Sequence, residues 1–540
     1  MSPNMGSTYT EHAMMWDCNS VQEYNEKYFE EVEKMKDDVR GLIDQLMDPL
    51  AMLELIDAIQ RLGLEYHFKR EIKGMLDSVH EHTNANRFQY GELHAATLRF
   101  RLLRQHGYYE MPQDVFCKFT DDSGNFMSAV EDDVKGLLSL YEASFHGFEG
   151  ETIMDKARVL SIAHLRRQKD DISSPVLAWK IEHALEMPIH WRPNRLEAMW
   201  FMEVYKDDPG MNPTLLKLAK LDYNLVQSIH REELSQLARW WSELGLGTSM
   251  TFSRDNLLEH YLWNVTMVFE PQYKAFREMT TKMTCVITLI DDVYDKLGSL
   301  NELELLTHLI DRWDVTRADE LPLTMRTCFQ ALYNITNEIG CWVLKERGIE
   351  VHPYLQKAWA DQCKAYLVEA NWCYKGLKPS VQDYLSNAVR SVGGFIVLLC
   401  CFFITTDDLT KDKLECISRI PSVMQCSTLI GRLNNDLAPS SCELAAGDKL
   451  NSVECYINES GASNEEAREH IRNHVHEAWK ALNRDAFTDK YRLPGPFVEA
   501  CLNLARASHW IYQYGDGHEA RSQEAKEQLM SVLVGPAGSD

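Results

Sequence analysis

Apolar residues recur at intervals of three and four along almost the whole chain, which places them on one face of an α-helix. The stretches 48–68 (DPLAMLELIDAIQRLGLEYHF) and 93–107 (LHAATLRFRLLRQHG) show this spacing clearly. Segments with the strict alternation of half-buried strands are scarce, and Pro and Gly gather in short joints between the helical patterns. The sequence therefore predicts an all-α protein.

The chain is long enough for more than one core, with 540 residues of which 45% are hydrophobic. A joint near residue 210 (KDDPGMNP) precedes one long amphipathic pattern, which we expect to form a helix ending at Gly245 or Gly247. All residues with evident chemistry follow this helix. We therefore predict two helical domains, an N-terminal one over residues 1–225 and a C-terminal one over residues 226–540.

Charge and cysteine content narrow the choice of partners. The net charge of −25 argues against nucleic acid and anionic membrane surfaces, because both would be repelled. The 14 cysteines show no paired spacing, which indicates free thiols in a reducing compartment and makes zinc a poor candidate. An anionic small substrate remains compatible with this charge if a cation mediates its contact with acidic residues. Oligomeric state is left open between a monomer and a weak homodimer.

The chain shows no segment that predicts a membrane span. Its longest apolar run, 395–404 (FIVLLCCFFI), is about half of what a bilayer-spanning helix requires. The N-terminal stretch has no apolar signal core and too few arginines for a typical transit peptide. We expect a cytoplasmic protein, and the alternative is a plastid protein whose transit peptide has been removed.

An acidic cluster, DDVYD, follows directly on the apolar run CVITLI. On a helix, Asp291 and Asp295 share one face, and Asp292 lies one step around it. Like charges at this spacing repel each other, so the arrangement favours a bound divalent cation. Oxygen-only ligands indicate Mg²⁺ or Mn²⁺ rather than zinc. For this cluster alone, the alternative is a solvated helix end.

A second polar cluster, LIGRLNNDLAPSSCELAAGD, lies about 140 residues downstream. On a continuous helix, Asn435 and Glu443 would share a face two turns apart, with Ser440 between them. Arg432 precedes Asn435 by one turn and is suited to bidentate recognition of phosphate. Two oxygen-rich clusters and one arginine predict a site for a diphosphate held by several Mg²⁺ ions.

With these motifs, the chain resembles plant class I terpene synthases over almost its whole length. Further similar segments are ELIDAIQRLGLEYHF, LRFRLLRQHGYYEMPQDVF, GLLSLYEASF, NPTLLKLAKLDYNLVQSIH, FSRDNLLEHYLW and YQYGDGH, as in the angiosperm monoterpene, isoprene and santalene synthase branch. The resemblance implies a C-terminal class I terpenoid synthase bundle with the active site and an N-terminal α-barrel as scaffold. Family members that protonate an alkene carry Asp-x-Asp-Asp, and VEDD at 130–133 lacks the first Asp. Ionisation by departure of diphosphate is therefore expected.

The resemblance also implies roles for individual residues. The ligands expected for three Mg²⁺ ions, with Mn²⁺ as a substitute, are Asp291, Asp292, Asp295, Asn435, Ser440 and Glu443. Substrate contacts are expected from Arg254, Trp263, Asp291, Arg432 and Asn435, and catalytic roles from Arg254, Arg432, Tyr512 and Asp516. Arg254 and Arg432 would hold the leaving group, and Tyr512 with Asp516 match the C-terminal lid region. For Trp263 and Tyr512 the alternative role is core packing.

Several family positions are altered in this chain. The tandem Arg of the family falls on Gly6 and Ser7, the Arg-x-Arg reads Arg254-Asp255-Asn256, and Arg-Gly-Asp reads Ala446-Gly447-Asp448. The central Ser/Thr of the second metal motif aligns with Pro439, which would clash with the preceding helical turn. Either the helix kinks so that Ser440 binds metal, or that metal has fewer protein ligands. Loss of the tandem Arg favours acyclic products.

For the substrate, the sequence favours farnesyl diphosphate and a sesquiterpene product. The absent transit peptide, santalene-synthase-like segments and the small residues Thr284 and Gly431 support this choice. The alternative is a monoterpene synthase of linalool, ocimene or cyclic type that acts on geranyl diphosphate. A remote alternative is a catalytically silent helical protein that binds prenyl diphosphates.

Overall fold

A computed structural model describes residues 18–84, 92–168, 172–245, 256–438, 450–489, 492–513 and 532–533, except for the side chains of 18–27 and 82–84. Within these ranges the elements are α-helices and short 3₁₀ turns, and the extended pairing is limited to one bridge between Thr120 and Phe126. The all-α prediction is confirmed. The chain divides into two compact units. Their described parts lie within residues 19–228 and 532–533 for the first unit, and within residues 229–513 together with Cys18 for the second. The exact predicted domain bounds, 1–225 and 226–540, stay a prediction.

The N-terminal unit is built from α1 to α9 and the first half of α10. The helices are α1 (Cys18–Gln45), α2 (Pro49–Arg61), α3 (Lys69–Asn84), α4 (Leu93–Gln105), α5 (Pro112–Phe116), α6 (Val134–Ser144), α7 (Thr152–Gln168), α8 (Pro175–Glu186), α9 (Asn194–Tyr205) and α10 (Pro213–Leu244). The long helix predicted after residue 210 is confirmed as α10. Local signals set these boundaries: the Asp48 carboxylate accepts a bond from the Ala51 amide at 2.8 Å, which caps α2 before its proline.

Two apolar clusters form the core of the N-terminal unit. One gathers residues of α1, α2, α3, α9 and α10, and the other gathers residues of α4, α6 and α7. Helix α4 contributes to both clusters, because Leu102 joins the first and Phe100 joins the second. Both side chains are fully buried. This two-sided burial fixes α4 at the centre of the unit, where its arginines need partners.

The C-terminal unit contains the second half of α10 and the remaining helices. They are α11 (Leu257–Met267), α12 (Lys274–Lys296), α13 (Leu300–Arg312), α14 (Leu323–Arg347), α15 (His352–Lys375), α16 (Val381–Ser391), α17 (Gly394–Thr405), α18 (Lys411–Ser418), α19 (Ser422–Leu437), α20 (Ser452–Ser460), α21 (Asn464–Asp489) and α22 (Gly495–Tyr512). Helix α12 packs against α11, α14 and α17, and α19 packs against α21 and α22.

A glycine breaks the longest apolar segment of the chain. Between α16 and α17, Gly393 has φ +82°, and a Cβ on it would lie 2.9 Å from Cγ2 of Ile287 on α12. Only glycine combines this backbone angle with such a close approach. The segment Val381–Thr405 is apolar and long enough to cross a membrane, but 72% of its most apolar window is buried inside the protein. That burial makes it weak evidence for a membrane span and typical of a core helix.

Candidate active site

Helix α12 carries one partly open stripe, although most of the helix from residue 280 onward is buried. Ile287 and Ile290, for example, are 7% and 0% exposed. Apart from Lys282 and Lys296, the side chains that keep exposure there recur every three or four residues and so share one face. This α12 stripe consists of Thr284, Thr288, Asp291 and Asp295. The predicted placement of Asp291 and Asp295 on one face is therefore confirmed.

Asp292 lies off the α12 stripe and has a different environment. Its side chain is fully buried, and Lys296 donates a hydrogen bond from Nζ to its Oδ1 at 2.7 Å. A buried carboxylate beside an ammonium group is compensated by it. The lysine occupies the position that a cation would need on that oxygen. The metal role of Asp292 stays a prediction, and among the acidic residues of DDVYD the stripe favours Asp291 and Asp295.

Helix α15 brings a tyrosine and a glutamate next to these two carboxylates. Burial raises the pKa of Tyr366, and the Asp291 carboxylate raises it further. Burial also raises the pKa of Glu369; Arg432 opposes this shift, and Asp295 adds to it. The carboxyl group of Glu369 therefore interacts electrostatically with Asp295 at the end of α12 and with Arg432 on α19.

The carboxyl group of Glu369 is held by neutral donors on α16 and its end. Ser391 donates a hydrogen bond from Oγ to Glu369 Oε1 at 2.6 Å, and Asn387 donates from Nδ2 to the same oxygen at 3.1 Å. Asn387 also donates to the carbonyl of Ala365 at 3.0 Å. These bonds fix the direction of the carboxyl group, which therefore stands at a defined place between α12 and α19.

Arg432 on α19 is fixed by a network of buried groups. Its Nε donates to the Tyr384 hydroxyl at 2.8 Å and lies 2.9 Å from Asp436 Oδ1. The Tyr384 hydroxyl donates to the same Asp436 oxygen at 3.1 Å, and the amide of Ser452 donates to Asp436 Oδ2 at 3.0 Å. The guanidinium therefore has one preset orientation. The next helical turn places Asn435, which is partly exposed, beside it.

Helix α19, which carries Asn435, ends before Pro439, so the continuous helix considered for Asn435 and Glu443 does not form. Helix α19 ends at Leu437, and Ala438 has the extended angles φ −56° and ψ 144°. The residue before a proline avoids helical angles because the proline ring would clash with its backbone, so Pro439 explains this end. Pro439 itself, Ser440 and Glu443 lie outside the described residues, as do Arg254 and Asp516. Both alternatives for metal binding at Pro439 stay predictions.

An aromatic pair and a glycine mark space near these groups. The rings of Trp263 on α11 and Tyr512 on α22 meet edge to face with centroids 5.5 Å apart, and both side chains keep partial exposure. Gly431 is buried, yet a Cβ on it would meet no atom within 4 Å among the described residues. A buried position with room beside it indicates a cavity next to α19. Partial exposure of Trp263 favours the predicted pocket role over core packing.

The donors on α12 and α19 suit a hard divalent cation. The polar side chains offered by the α12 stripe and by Asn435 bind through oxygen, which matches Mg²⁺ and not zinc. In the described ranges, no three His, Cys, Asp or Glu side chains lie close enough to hold a metal by themselves. Besides the side chains in these ranges, substrate and water oxygens commonly complete the coordination of Mg²⁺.

Sequence reasoning missed Glu369 and Tyr384. It also missed that Asp436 is the ion-pair partner of Arg432. A weak signal existed, because a glutamate within the apolar stretch AYLVEA stands three residues after a tyrosine on the same helical face. Spacing alone does not tell which other helix that face meets.

Family models match both parts of the chain. The model of the terpene synthase N-terminal domain matches residues 9–185, and that of the terpene synthase family metal-binding domain matches residues 242–481. Among curated relatives, a (−)-alpha-terpineol synthase of Vitis vinifera is 44% identical, with 98% of this chain and 90% of the relative covered. A beta-bisabolene synthase of Santalum austrocaledonicum is 43% identical (96% and 89%), and a chloroplastic myrcene synthase of Quercus ilex is 41% identical (97% and 88%).

Two solved structures are also similar to this chain over almost its whole length. The isoprene synthase of grey poplar leaves, in complex with three Mg²⁺ ions and dimethylallyl-S-thiolodiphosphate, superposes with a TM-score of 0.89 at 41% identity, over 96% of this chain and 99% of that one. A limonene synthase with 2-fluorolinalyl diphosphate gives a TM-score of 0.91 at 36% identity, over 97% and 98%.

The two-domain all-α fold, with acidic and amide side chains at the ends of α12 and α19, defines the class of metal-dependent enzymes that act on prenyl diphosphates. The chain belongs to the terpene synthase family. It is a lyase with a divalent-metal-binding domain, as both the resemblance and the oxygen donors imply.

Proposed function

We propose that this terpene synthase acts on geranyl diphosphate and releases a monoterpene. The prediction of farnesyl diphosphate is not supported, because most of the similar curated relatives are named for monoterpene products, such as terpineol, myrcene and gamma-terpinene. Because one similar relative is a beta-bisabolene synthase, a sesquiterpene made from farnesyl diphosphate is the second candidate. The observation that carries the proposal is full-length similarity to monoterpene synthases, together with the α12 stripe beside the Arg432 network.

In this proposal, Asp291 and Asp295 hold Mg²⁺ from α12, and Asn435 holds it from α19. When bound, the metal neutralises the charge that builds on the diphosphate as the allylic C–O bond breaks. Ser440 and Glu443 are proposed to complete the ligand set for three Mg²⁺ ions, with Mn²⁺ as a substitute. The isoprene synthase structure with three Mg²⁺ ions supports that number.

The chain's own residues orient the substrate and protect the cation. Arg432, preset by Asp436 and Tyr384, presents a fixed guanidinium to the diphosphate, because its orientation is set before substrate arrives. Arg254 and Asp516 are proposed to assist at the leaving group and the lid. The faces of Trp263 and Tyr512 stabilise positive charge, and the apolar surroundings exclude water.

The relatives also bear on cellular location. The myrcene synthase and other similar enzymes are named as chloroplastic, which supports the plastid alternative. The cytoplasmic prediction has no such support. We therefore propose a plastid enzyme, and a fluorescent fusion of the full-length gene product would show whether the signal coincides with plastids or stays in the cytosol.

Parallel incubation with geranyl and farnesyl diphosphate tests the substrate. We expect kcat/KM for geranyl diphosphate to exceed that for farnesyl diphosphate by about tenfold or more, since a pocket fitted to one chain length discriminates at that level. Released pyrophosphate gives the rate, and gas chromatography with mass spectrometry identifies the products. Preference for the C15 substrate would return the assignment to a sesquiterpene synthase. No pyrophosphate from either substrate, with Mg²⁺ or Mn²⁺, would favour the catalytically silent alternative.

A further inference from the structure

A histidine and a threonine form a polar pair beside the proposed pocket. His260 on α11 and Thr288 on the α12 stripe lie 3.1 Å apart, measured from Nε2 to Oγ1. Both side chains keep partial exposure, as does Trp263 one turn after the histidine. Because His260 and Trp263 are three residues apart, they share one face of α11, and the polar pair lies beside the contact of Trp263 with Tyr512.

The pair lies one helical turn of α12 from Asp291, a proposed metal ligand. Thr288 precedes Asp291 by three residues, which is about 4.5 Å along the helix axis. If Asp291 holds the metal and diphosphate, as proposed above, the allylic carbon released from the diphosphate faces the next level of the stripe. Thr288 occupies that level.

Among the described residues, Trp263 and Tyr512 offer aromatic rings with one indole N–H and one phenol hydroxyl, and Gly431 offers no side chain. The neighbouring hydroxyl of Thr284 already donates to the carbonyl of Thr280 at 2.7 Å. Thr288 differs from these groups because its hydroxyl, with one donor and two acceptor positions, lies 3.1 Å from an imidazole nitrogen that can accept a proton.

We propose that Thr288 and His260 bind and activate the water that ends the carbocation sequence, so that this enzyme makes a terpene alcohol. This inference rests on the proposed function. The water oxygen forms the new C–O bond to the cationic carbon. One of its protons passes to Thr288 Oγ while the hydroxyl proton of Thr288 passes to His260 Nε2. The products are a neutral alcohol and an imidazolium, and the imidazolium returns its proton to solvent when the pocket opens.

The geometry gives each residue a separate role. Thr288 touches the water and is the catalytic residue of the pair. His260 acts through the threonine as proton acceptor, and its backbone position is set by Asn264, whose Nδ2 donates to the carbonyl of His260 at 2.8 Å. Asn264 in turn donates to Thr281 Oγ1 on α12 at 3.2 Å. The bond to Thr281 connects α11 to α12 about two helical turns from Thr288.

The test compares product ratios in three variants. Thr288→Val keeps the side-chain shape and removes the hydroxyl, Thr288→Ser keeps the hydroxyl, and His260→Gln keeps a polar side chain without a base. Each is incubated with geranyl diphosphate in H₂¹⁸O, and alcohols and hydrocarbons are quantified by mass spectrometry. We expect Thr288→Val to lower the alcohol-to-hydrocarbon ratio about tenfold or more, which is the low end for loss of proton transfer.

The controls separate this inference from the proposed function. Thr288→Ser should restore the wild-type ratio, His260→Gln should lower it, and the unfolding temperatures should match. The alcohol should carry ¹⁸O, because its oxygen comes from water and not from diphosphate. An unchanged ratio in Thr288→Val, or a wild-type enzyme that makes hydrocarbons alone, would overturn the pair's role while leaving the terpene synthase activity intact. Absence of any turnover by the wild-type enzyme would instead contradict the proposed function.

Discussion

The two units handle buried charge in different ways. In the N-terminal unit, Glu197 lies at the centre of a closed set: Arg61 contacts it at 2.7 Å and His183 at 2.8 Å, and all three side chains are largely buried. In the C-terminal unit, the carboxylate of Asp295 is close enough to Glu369 to raise its pKa, and the nearby Arg432, which opposes that shift, is already bound to Asp436. The first set balances its own charges, whereas the second gathers like charges.

This difference separates a structural role of charge from a functional one. Burial alone would raise the pKa of Glu197, but Arg61 and then His183 outweigh it, so the net shift is downward and the carboxylate is ionised. For Glu369 the net shift is upward, since burial and Asp295 act together against Arg432. Carboxyl groups that resist ionisation beside one another are stabilised by an added cation. The C-terminal arrangement therefore gains from a metal that the N-terminal one has no need of.

The largest expected effect comes from removing a stripe carboxylate. We expect Asp291→Asn to lower kcat/KM with geranyl diphosphate by on the order of 10³-fold, because a metal ligand on α12 is lost and the leaving group keeps its charge. Pyrophosphate release measures the rate. The unfolding temperature should stay at or above the wild-type value, since one of several like charges disappears.

Asp311→Asn is the matched control for this variant. Asp311 on α13 pairs with Lys364 near the surface, away from the stripe, and its replacement should leave kcat/KM within about twofold, as surface ion pairs contribute little. Activity of Asp291→Asn equal to that of the control would remove the metal role from the α12 stripe.

The next largest effect is expected in the N-terminal unit and concerns stability alone. Glu197→Ala leaves Arg61 and His183 without their shared partner in a buried place, which costs about 3 to 5 kcal/mol in the free energy of unfolding. Urea titration followed by tryptophan fluorescence measures this loss. The rate per folded molecule should stay at the wild-type value. A fall in kcat of the folded fraction would show that this closed set serves catalysis after all.

Glu203→Ala provides the surface comparison for that experiment. Glu203 is half exposed and pairs with Lys206 one turn away, so its loss should change the free energy of unfolding by less than about 0.5 kcal/mol.

The sequence predicts those features that depend only on residues close together in the chain. The spacing of Asp291 and Asp295 places them on one face whatever surrounds the helix, and the joint before Pro213 marks the start of α10. The end of α19 follows from the same kind of local rule, because a proline at 439 restricts the residue before it to extended angles. That rule acts between adjacent residues and needed no knowledge of the fold.

The contacts between distant helices were beyond that reasoning. Glu369 and Arg432 are 63 positions apart, and periodicity shows which face of each helix is polar but not which faces meet. Separate roles for Trp263 and Tyr512 follow from the resemblance, but their edge-to-face contact depends on how α11 packs against α22. The hydroxyl of Tyr384, between Arg432 and Asp436, belongs to the same class of tertiary information.

The smallest effect concerns a glutamate next to the closed set, and it depends on pH. Burial raises the pKa of Glu142 on α6 to about 7, although Arg61 and Arg101 oppose the shift. Its ordinary value is 4.5, so between these limits the folded protein holds a proton that the unfolded chain has lost. Stability contributed by this group is therefore complete below about pH 4.5 and falls as pH rises toward 7.

Glu142→Gln keeps the acceptor for the Ile189 amide, which lies 2.9 Å from the carboxyl oxygen, and it removes the titration. We expect the variant to gain about 1 to 3 kcal/mol over the wild type between pH 5 and pH 8, as measured by urea unfolding at both values. Exposed Glu182→Gln on α8 should show no such gain, and a parallel pH response of Glu142→Gln and wild type would mean that the neighbouring arginines keep Glu142 ionised, as they do Glu197.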